Sequence, residues 1–221
     1  MNILNVNSYM EKETGGGTVE RTLMMTHFLT LKGAKCTVLS INKGFDKTAV
    51  ADISFANVFL LDLLWRRYYF PFVRWKTIMK LVSESDIVHL MGHWSILNAL
   101  VYIAARLCNK PYVVCPAGAL PLFGRSIYLK CIYNFVIGRR IIKNASAWIA
   151  VTSGELIQFI NYGIPASQVT IIPNGISAND FPKVDFKSYK RAIGLKNLPI
   201  ILFVGRLNPI KGPDLLLQAF A

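Results

Sequence analysis

The sequence predicts an α/β fold, a parallel sheet with helices on both faces. Three observations predict it. Short apolar, β-branched runs recur along the chain, and each is followed by a segment with helical spacing. That repeated order builds parallel sheets, because parallel strands need a crossover. Several runs are apolar almost throughout, as in strands buried on both faces. Glycines then close the helical segments, at Gly33 and Gly163.

The elements follow in order. "NILNVN" (2–7) alternates apolar and polar residues and reads as a strand, followed by a loop, "SYMEKETGGG". Val19, Leu23, Met24, Phe28 and Leu31 give a helix over 18–33. "CTVLSI" (36–41) is a buried strand and completes a βαβ unit. "DIVHLM" (86–91) is a strand, "SILNALVYIAARLCN" a helix and "PYVVCP" (111–116) a strand. The segment 126–143 is mostly helical. "AWIAVTS" (147–153), "GELIQFINYG" (154–163) and "VTIIPNG" (169–175) read strand, helix, strand. The polar, basic segment 176–199 is a connector with one short helix, "FKSYKRAIG", and places a domain boundary near 182. "IILFVG" (200–205) reads as another buried strand, with a helix opening at Pro213. About forty residues cannot bury a core alone. The expected domains are therefore 1–182 and, at 183–221, a linker with the truncated start of a second domain.

The chain has 221 residues, is 53% hydrophobic and carries a net charge of +13. Such a charge attracts polyanions: nucleic acid, anionic lipid or phosphorylated substrates. The apolar runs at 53–65 and 95–107 are shorter than a membrane span. Asn2, Asn5 and Asn7 interrupt the first apolar run, which argues against a signal peptide. Cys36, Cys108, Cys115 and Cys131 lack C-x-x-C spacing and read as free thiols in a reducing cytosol.

Gly15, Gly16 and Gly17 stand between the first strand and helix. Glycines there let backbone N–H groups approach a phosphate; a plain flexible turn explains them equally well. In "GRLNPIKG" (205–212), Arg206 and Lys211 flank a turn between strand and helix and point to an anion site, against two ordinary surface cations. His89 lies within a strand and reads as structural, whereas His93 and Trp94 sit past its end, where a ligand could touch them. His27 has no supporting cluster, so no metal site is expected. Segment 63–82 mixes Trp65 and Trp75 with Arg66, Arg67, Arg74 and Lys76 and has no acid. It suits an anionic membrane surface, against an amphipathic helix with solvated bases. No nucleic-acid-binding motif accompanies it, and nucleic acid is not an expected partner.

A Gly-rich first loop, "DIVHLMGHW", "PYVVCPAGAL", "AVTSGEL", "IIPNGI" and "FVGRLNPIKGPDLLLQAF" follow one another over nearly the whole chain. This order resembles the retaining GT-B glycosyltransferases of family 4. The resemblance implies a Rossmann-like, acceptor-side N-terminal domain, followed by the start of a donor-binding domain. Arg206 and Lys211 then resemble the basic pair on the donor diphosphate, and Gly15–Gly17 the glycines near the donor phosphates. Ser153, Glu155 and Asn174 match cleft-facing positions. It implies sugar transfer without metal or cofactor, from a UDP- or GDP-linked sugar to a lipid-linked or polysaccharide acceptor. The protein would be cytoplasmic, or peripheral on the inner face of the cytoplasmic membrane. The sequence departs from the family at Pro116–Ala117–Gly118, where many members carry a histidine, and in lacking the E-x7-E motif. The expectation is therefore a truncated or split form, inactive alone unless a second chain supplies the donor domain. The alternative is a non-catalytic membrane- or partner-binding module.

Overall fold

The structure is a computed structural model. It describes residues 1–10, 12–42, 54–65, 67, 70–122, 126–176, 185–195, 199–205, 207 and 211–220. The chain divides into two compact units, Met1–Ile176 and Ser177–Ala221. The boundary expected near 182 falls on residues outside those described.

The first unit is a sheet covered by helices. Its strands are β1 (Asn2–Tyr9), β2 (Lys35–Asn42), β3 (Asn57–Trp65), β4 (Phe70–Pro71), β5 (Ile87–Met91), β6 (Tyr112–Cys115), β7 (Ala147–Ala150) and β8 (Val169–Ile171). Among the described residues they form one eight-stranded sheet in the order β4-β3-β2-β1-β5-β6-β7-β8. Every pairing is parallel except β3 with β4. The expected parallel α/β architecture is thus present. The chain runs outward from β1 to β3, then returns to place β5 on the other side of β1. That reversal opens a crevice at the carboxyl ends of β1 and β5, where open α/β sheets bind ligands.

Apolar residues of the central strands explain their position. Leu4, Val6, Leu39, Ile41, Val88, Leu90, Tyr112 and Val114 are all almost fully buried and belong to one core. Helix α3 (Ile96–Leu107) packs on it through Leu97, Val101, Ala104 and Ala105. The Ser95 hydroxyl caps α3 by accepting from the Asn98 N–H at 3.3 Å.

Local structure sharpens the sequence reading and in places departs from it. Residues 63–82 are divided at Pro71, which breaks any single long helix there. They contribute the end of β3, β4 and helix α2 (Trp75–Ser83). Pro71 occupies the short edge strand, where a missing N–H costs least. The loop expected at 8–17 is shorter than predicted. Helix α1 (Lys12–Leu31) takes in the glycines and breaks at Gly16 (φ 55°, ψ −146°), a conformation that only glycine adopts readily. The segment 126–143 is mostly helical, as expected, and its helix is continuous without being uniformly α. Helices α4 (Ile127–Tyr133) and α5 (Arg139–Lys143) flank a π-helical turn, Asn134–Gly138. The wider turn brings Asn134 inward beside Gly138. A Cβ at Gly138 would lie 2.5 Å from Asn134 Oδ1, so the position requires glycine. Helix α6 (Leu156–Asn161) then connects β7 to β8.

In the second unit, α7 (Phe186–Ala192) is capped by Asp185, whose carboxylate accepts from the Lys187 N–H at 3.0 Å. Helix α8 spans Pro213–Phe220. The strand expected at 200–205 is not formed: residues 199–205 pair with no strand, and Ile201, Leu202 and Val204 are exposed. An apolar run becomes a strand only with a neighbour to pair with.

Candidate functional site

The crevice at the carboxyl ends of β1 and β5 is built from the first helix inward. The buried face of α1 is largely polar. Arg21, Thr22 and Thr26 are buried there beside Val19, while Phe28 and Leu31 of the predicted apolar stripe are exposed. The reason lies in β1. Asn7 Nδ2 donates to Thr22 Oγ1 at 3.0 Å and to the Thr18 carbonyl at 3.2 Å. Asn5 Nδ2 donates to Thr26 Oγ1 at 3.0 Å. Thr22 and Thr26 in turn donate to carbonyls four residues back in α1, at 2.8 and 2.6 Å. This seam of hydrogen bonds fixes α1 on the strand and sets the glycine turn over the crevice.

Arg21 lies one helical turn after Gly17, on the same face. It is only 3% exposed. Its Nη1 donates to Asn174 Oδ1 at 2.9 Å, from the segment after β8. Gly17 faces the same asparagine: a Cβ there would lie 3.9 Å from Asn174 Nδ2. Arg21 Nε and Nη2 are buried without a hydrogen-bond partner. Among the described residues the guanidinium makes no ion pair with a carboxylate. A buried, unneutralised guanidinium with two idle donors is costly. An anion entering beside the glycine turn would satisfy both the charge and the donors.

Its charge is felt around it. His89, hydrogen-bonded through Nδ1 to Asn5 Oδ1 at 3.2 Å, has its pKa lowered to about 4, by burial first and by Arg21 second. The imidazole is neutral at pH 7. Burial pushes the Cys115 thiol up; Arg21 opposes that shift and Glu155 adds to it. Cys115 is therefore a protonated, buried thiol rather than a nucleophile. After it, Ala117 (φ 50°) and Gly118 (φ 76°) turn the chain through left-handed backbone. A Cβ at Gly118 would sit 3.9 Å from Glu155 Oε1, so this turn closes over the glutamate. Glu155 is 8% exposed and accepts from the Val151 N–H through Oε2 at 3.2 Å.

The structure places the sequence-predicted residues as follows. Gly16, Gly17, Glu155 and Asn174 surround the crevice end of the sheet, with Gly15 in the first turns of α1. Ser153 is exposed in the turn after β7. His93 is not at a ligand surface: it is 2% exposed, and its Nε2 bonds Asn134 Oδ1 at 3.0 Å. Asn134 Nδ2 donates to the Tyr162 hydroxyl at 2.7 Å, and the His93 ring packs edge-on against Trp94, Tyr133 and Tyr162. Burial lowers its pKa to about 4, against the opposing effect of its hydrogen bond to Asn134 Oδ1. Position 93 lies past a strand end, as predicted, but the helix at 127–143 covers it. Trp94 is half-buried and donates through Nε1 to the Ala119 carbonyl.

Lys211 is exposed in the second unit, and Arg206 lies outside the described residues. Of the proposed membrane residues, Trp65, Arg67 and Lys76 are exposed and Arg66 lies outside the described residues. Arg74 pairs with Asp62 at 2.9 Å, and Trp75 packs against the core. Among the described residues no cluster of His, Cys, Asp or Glu could hold a metal. No helix there is long and apolar enough to cross a membrane. Sequence reasoning missed Arg21. The available signal was its four-residue offset from Gly17 and the threonines at 18, 22, 26 and 30, which mark a polar stripe.

The family model described as Glycosyltransferase Family 4 matches residues 15–180. A D-inositol 3-phosphate glycosyltransferase of Geodermatophilus obscurus is 34% identical over 89 residues, covering 39% of this chain and 20% of that protein. The corresponding protein of Acidothermus cellulolyticus is 34% identical over 92 residues, covering 38% and 20%. Among solved structures, Anabaena HepE in complex with UDP and glucose superposes with a TM-score of 0.72 at 18% identity. That match covers 100% of this chain and 57% of that one. The lipopolysaccharide outer core galactosyltransferase WaaB gives 0.51 at 16% identity, covering 80% and 46%. These structures show the shared fold. The chain spans 57% of the Anabaena protein, and its aligned stretches cover about a fifth of the curated relatives.

Proposed function

We propose, from the premise that the chain belongs to glycosyltransferase family 4, that it supplies the acceptor-side domain of a glycosyltransferase. The substrate is a nucleotide-sugar, UDP- or GDP-linked, and the sugar passes with retention to a lipid-linked or polysaccharide acceptor. The protein works in glycan biosynthesis at the cytoplasmic side, peripheral on the inner face of the membrane.

One observation carries the reading: Arg21, buried with two idle donors, lies beneath Gly17 and beside Asn174 at the mouth of the crevice. A diphosphate fits this site by charge and by donor geometry. Gly16 and Gly17 leave room for its oxygens to approach backbone N–H groups. In sugar transfer the leaving diphosphate gains negative charge as the glycosidic bond to it breaks. Fixed cationic donors stabilise that charge without a metal or a cofactor. Arg21 takes this role in the first unit. By the family resemblance Arg206 and Lys211 are candidates for the donor diphosphate, and Ser153, Glu155 and Asn174 for acceptor-side positions of the first unit. The two bound Anabaena structures, one with UDP and glucose and one with UDP-glucose, support the ligand class.

Transfer of radiolabelled sugar from UDP- and GDP-sugars onto membrane-extracted lipid tests the proposal. The assay uses this chain alone and together with a donor-binding domain from a family member. Little turnover alone and transfer by the pair are expected. Vigorous turnover by the chain alone would remove the need for a second chain. The diphosphate assignment has its own readout, the NMR signal of Arg21 Nε–H. UDP or pyrophosphate should shift it, and a signal unmoved at saturation sinks the assignment.

A further inference from the structure

Helices α4 and α5 present a face that the core does not use. Helix α4 buries no residue. Tyr128 is 86% and Phe135 87% exposed, with Ile132 and Val136 also in solvent. The inward face of the same helical run is Asn134, Gly138, Ile141 and Ile142, so the outward apolar side chains are not a displaced core stripe. Further along the outward face come Arg139 and Arg140, both exposed. The exposed side of the run is thus graded along its axis, from apolar and aromatic to cationic. From residue 87 to residue 154 the sequence holds no Asp or Glu.

We propose that this face docks on an anionic lipid surface. Tyr128, Ile132, Phe135 and Val136 enter the boundary between headgroups and acyl chains. Arg139 and Arg140 meet the headgroup phosphates. Charge decides the occupant. A second copy of the chain would bring like-charged faces together in a protein of net charge +13. A nucleic-acid surface would use the arginines and could stack on Tyr128 and Phe135, yet it would leave Ile132 and Val136 in water. Aliphatic and aromatic side chains next to a cationic rim match acyl chains beneath anionic headgroups. The surface differs from the one at 63–82, where Arg74 is engaged by Asp62 and Trp75 by the core. The inference rests on the membrane part of the proposal above. Vesicle binding is read without sugar transfer, so the two readings fail separately.

The test is flotation of the full chain with vesicles of phosphatidylcholine alone, or of phosphatidylcholine and phosphatidylglycerol in equal parts. The wild type should float with the anionic vesicles and lose most binding in high salt. Tyr128→Asp with Phe135→Asp, and separately Arg139→Ala with Arg140→Ala, should each weaken binding by roughly tenfold or more. Every substituted side chain is exposed, and far-UV circular dichroism checks that the fold persists. Should the apolar pair fail to fold, the arginine pair still decides the matter. Arg74→Ala with Lys76→Ala should float like the wild type. Three results would overturn the proposal: no flotation of the wild type, flotation of both outer-face variants as strong as the wild type's, or loss of flotation in the Arg74/Lys76 variant alone. So would a dimer, or a single-stranded oligonucleotide complex, that the Tyr128/Phe135 substitutions abolish.

Discussion

Replacing Arg21 by methionine tests the central claim about the crevice. The variant keeps an unbranched chain of similar reach and removes the charge. Without a ligand, the guanidinium donates to Asn174 at 2.9 Å and lies against the Cys115 sulfur, a weak acceptor. A bond from a charged donor is worth about 1.5–3 kcal/mol. Against it stand Nε and Nη2, buried without partners. Each idle donor costs about 1–3 kcal/mol, and desolvating the charge adds several more. The costs exceed the gain, so Arg21→Met should be as stable as the wild type or about 1–3 kcal/mol more stable. For a chain of this size each kcal/mol moves the midpoint by about 2–4 °C. Urea denaturation with and without pyrophosphate is the assay. The variant should unfold at equal or higher urea, while the stabilisation by pyrophosphate seen in the wild type should vanish. The His89 pKa should also rise, because Arg21's charge is one of the two causes holding it down. A loss of about 2 kcal/mol or more without ligand would refute the reasoning, since the guanidinium would then be satisfied inside the fold.

The other predictions concern backbone and protons. Gly138→Ala should cost about 1–3 kcal/mol, because its Cβ would meet Asn134 Oδ1 at 2.5 Å and the Tyr133 ring at 2.9 Å; unchanged urea stability would count against that packing. Gly16→Ala should cost about 1–3 kcal/mol from backbone strain alone, there being no atom within 4 Å of its Cβ, whereas Gly17→Ala should fold normally. Equal stabilities for the two glycine variants would contradict the break at Gly16. His89 and His93 have folded pKa values of about 4, below the ordinary 6.5. Between those values the unfolded chain binds more protons, so stability present above pH 6.5 is lost as pH falls through 4. The loss is about 3 kcal/mol per histidine. NMR titration of the folded chain should find both rings neutral at pH 5.5, and titration near 6.5 would be the contrary result.

The positions of most central strands were legible in the sequence because buried parallel strands are written as apolar runs that need no partner to be recognised; their order in the sheet was not. β3 was harder: Asn57 and Asp62 interrupt it, and its identity depends on pairing with β2. The second unit shows the converse, an apolar run at 200–205 that pairs with no strand among the described residues. Gly16, Gly17, Glu155 and Asn174 could be placed from motif order, since each follows a strand end. Arg21 could not, because a helix whose buried face is polar defeats a search for apolar periodicity. His93 misled for a related reason. Its distance from the strand end was right, but the π-helical turn that carries Asn134 over it leaves no mark in the sequence beyond Gly138.

The threonine seam sets a scale for the movement of α1. Four helical residues advance about 6 Å, and two strand residues advance about 6.7 Å. Asn7 meets Thr22 and Asn5 meets Thr26, so the two rulers run in opposite directions and nearly coincide. A shift of one or two ångströms along the strand breaks both bonds. A shift of a full helical turn would let the asparagines find threonines again, at 26 and 30. The helix is therefore indexed on the strand by two bonds at once, and any small displacement stretches both together and is drawn back, with the glycine turn, to the observed register.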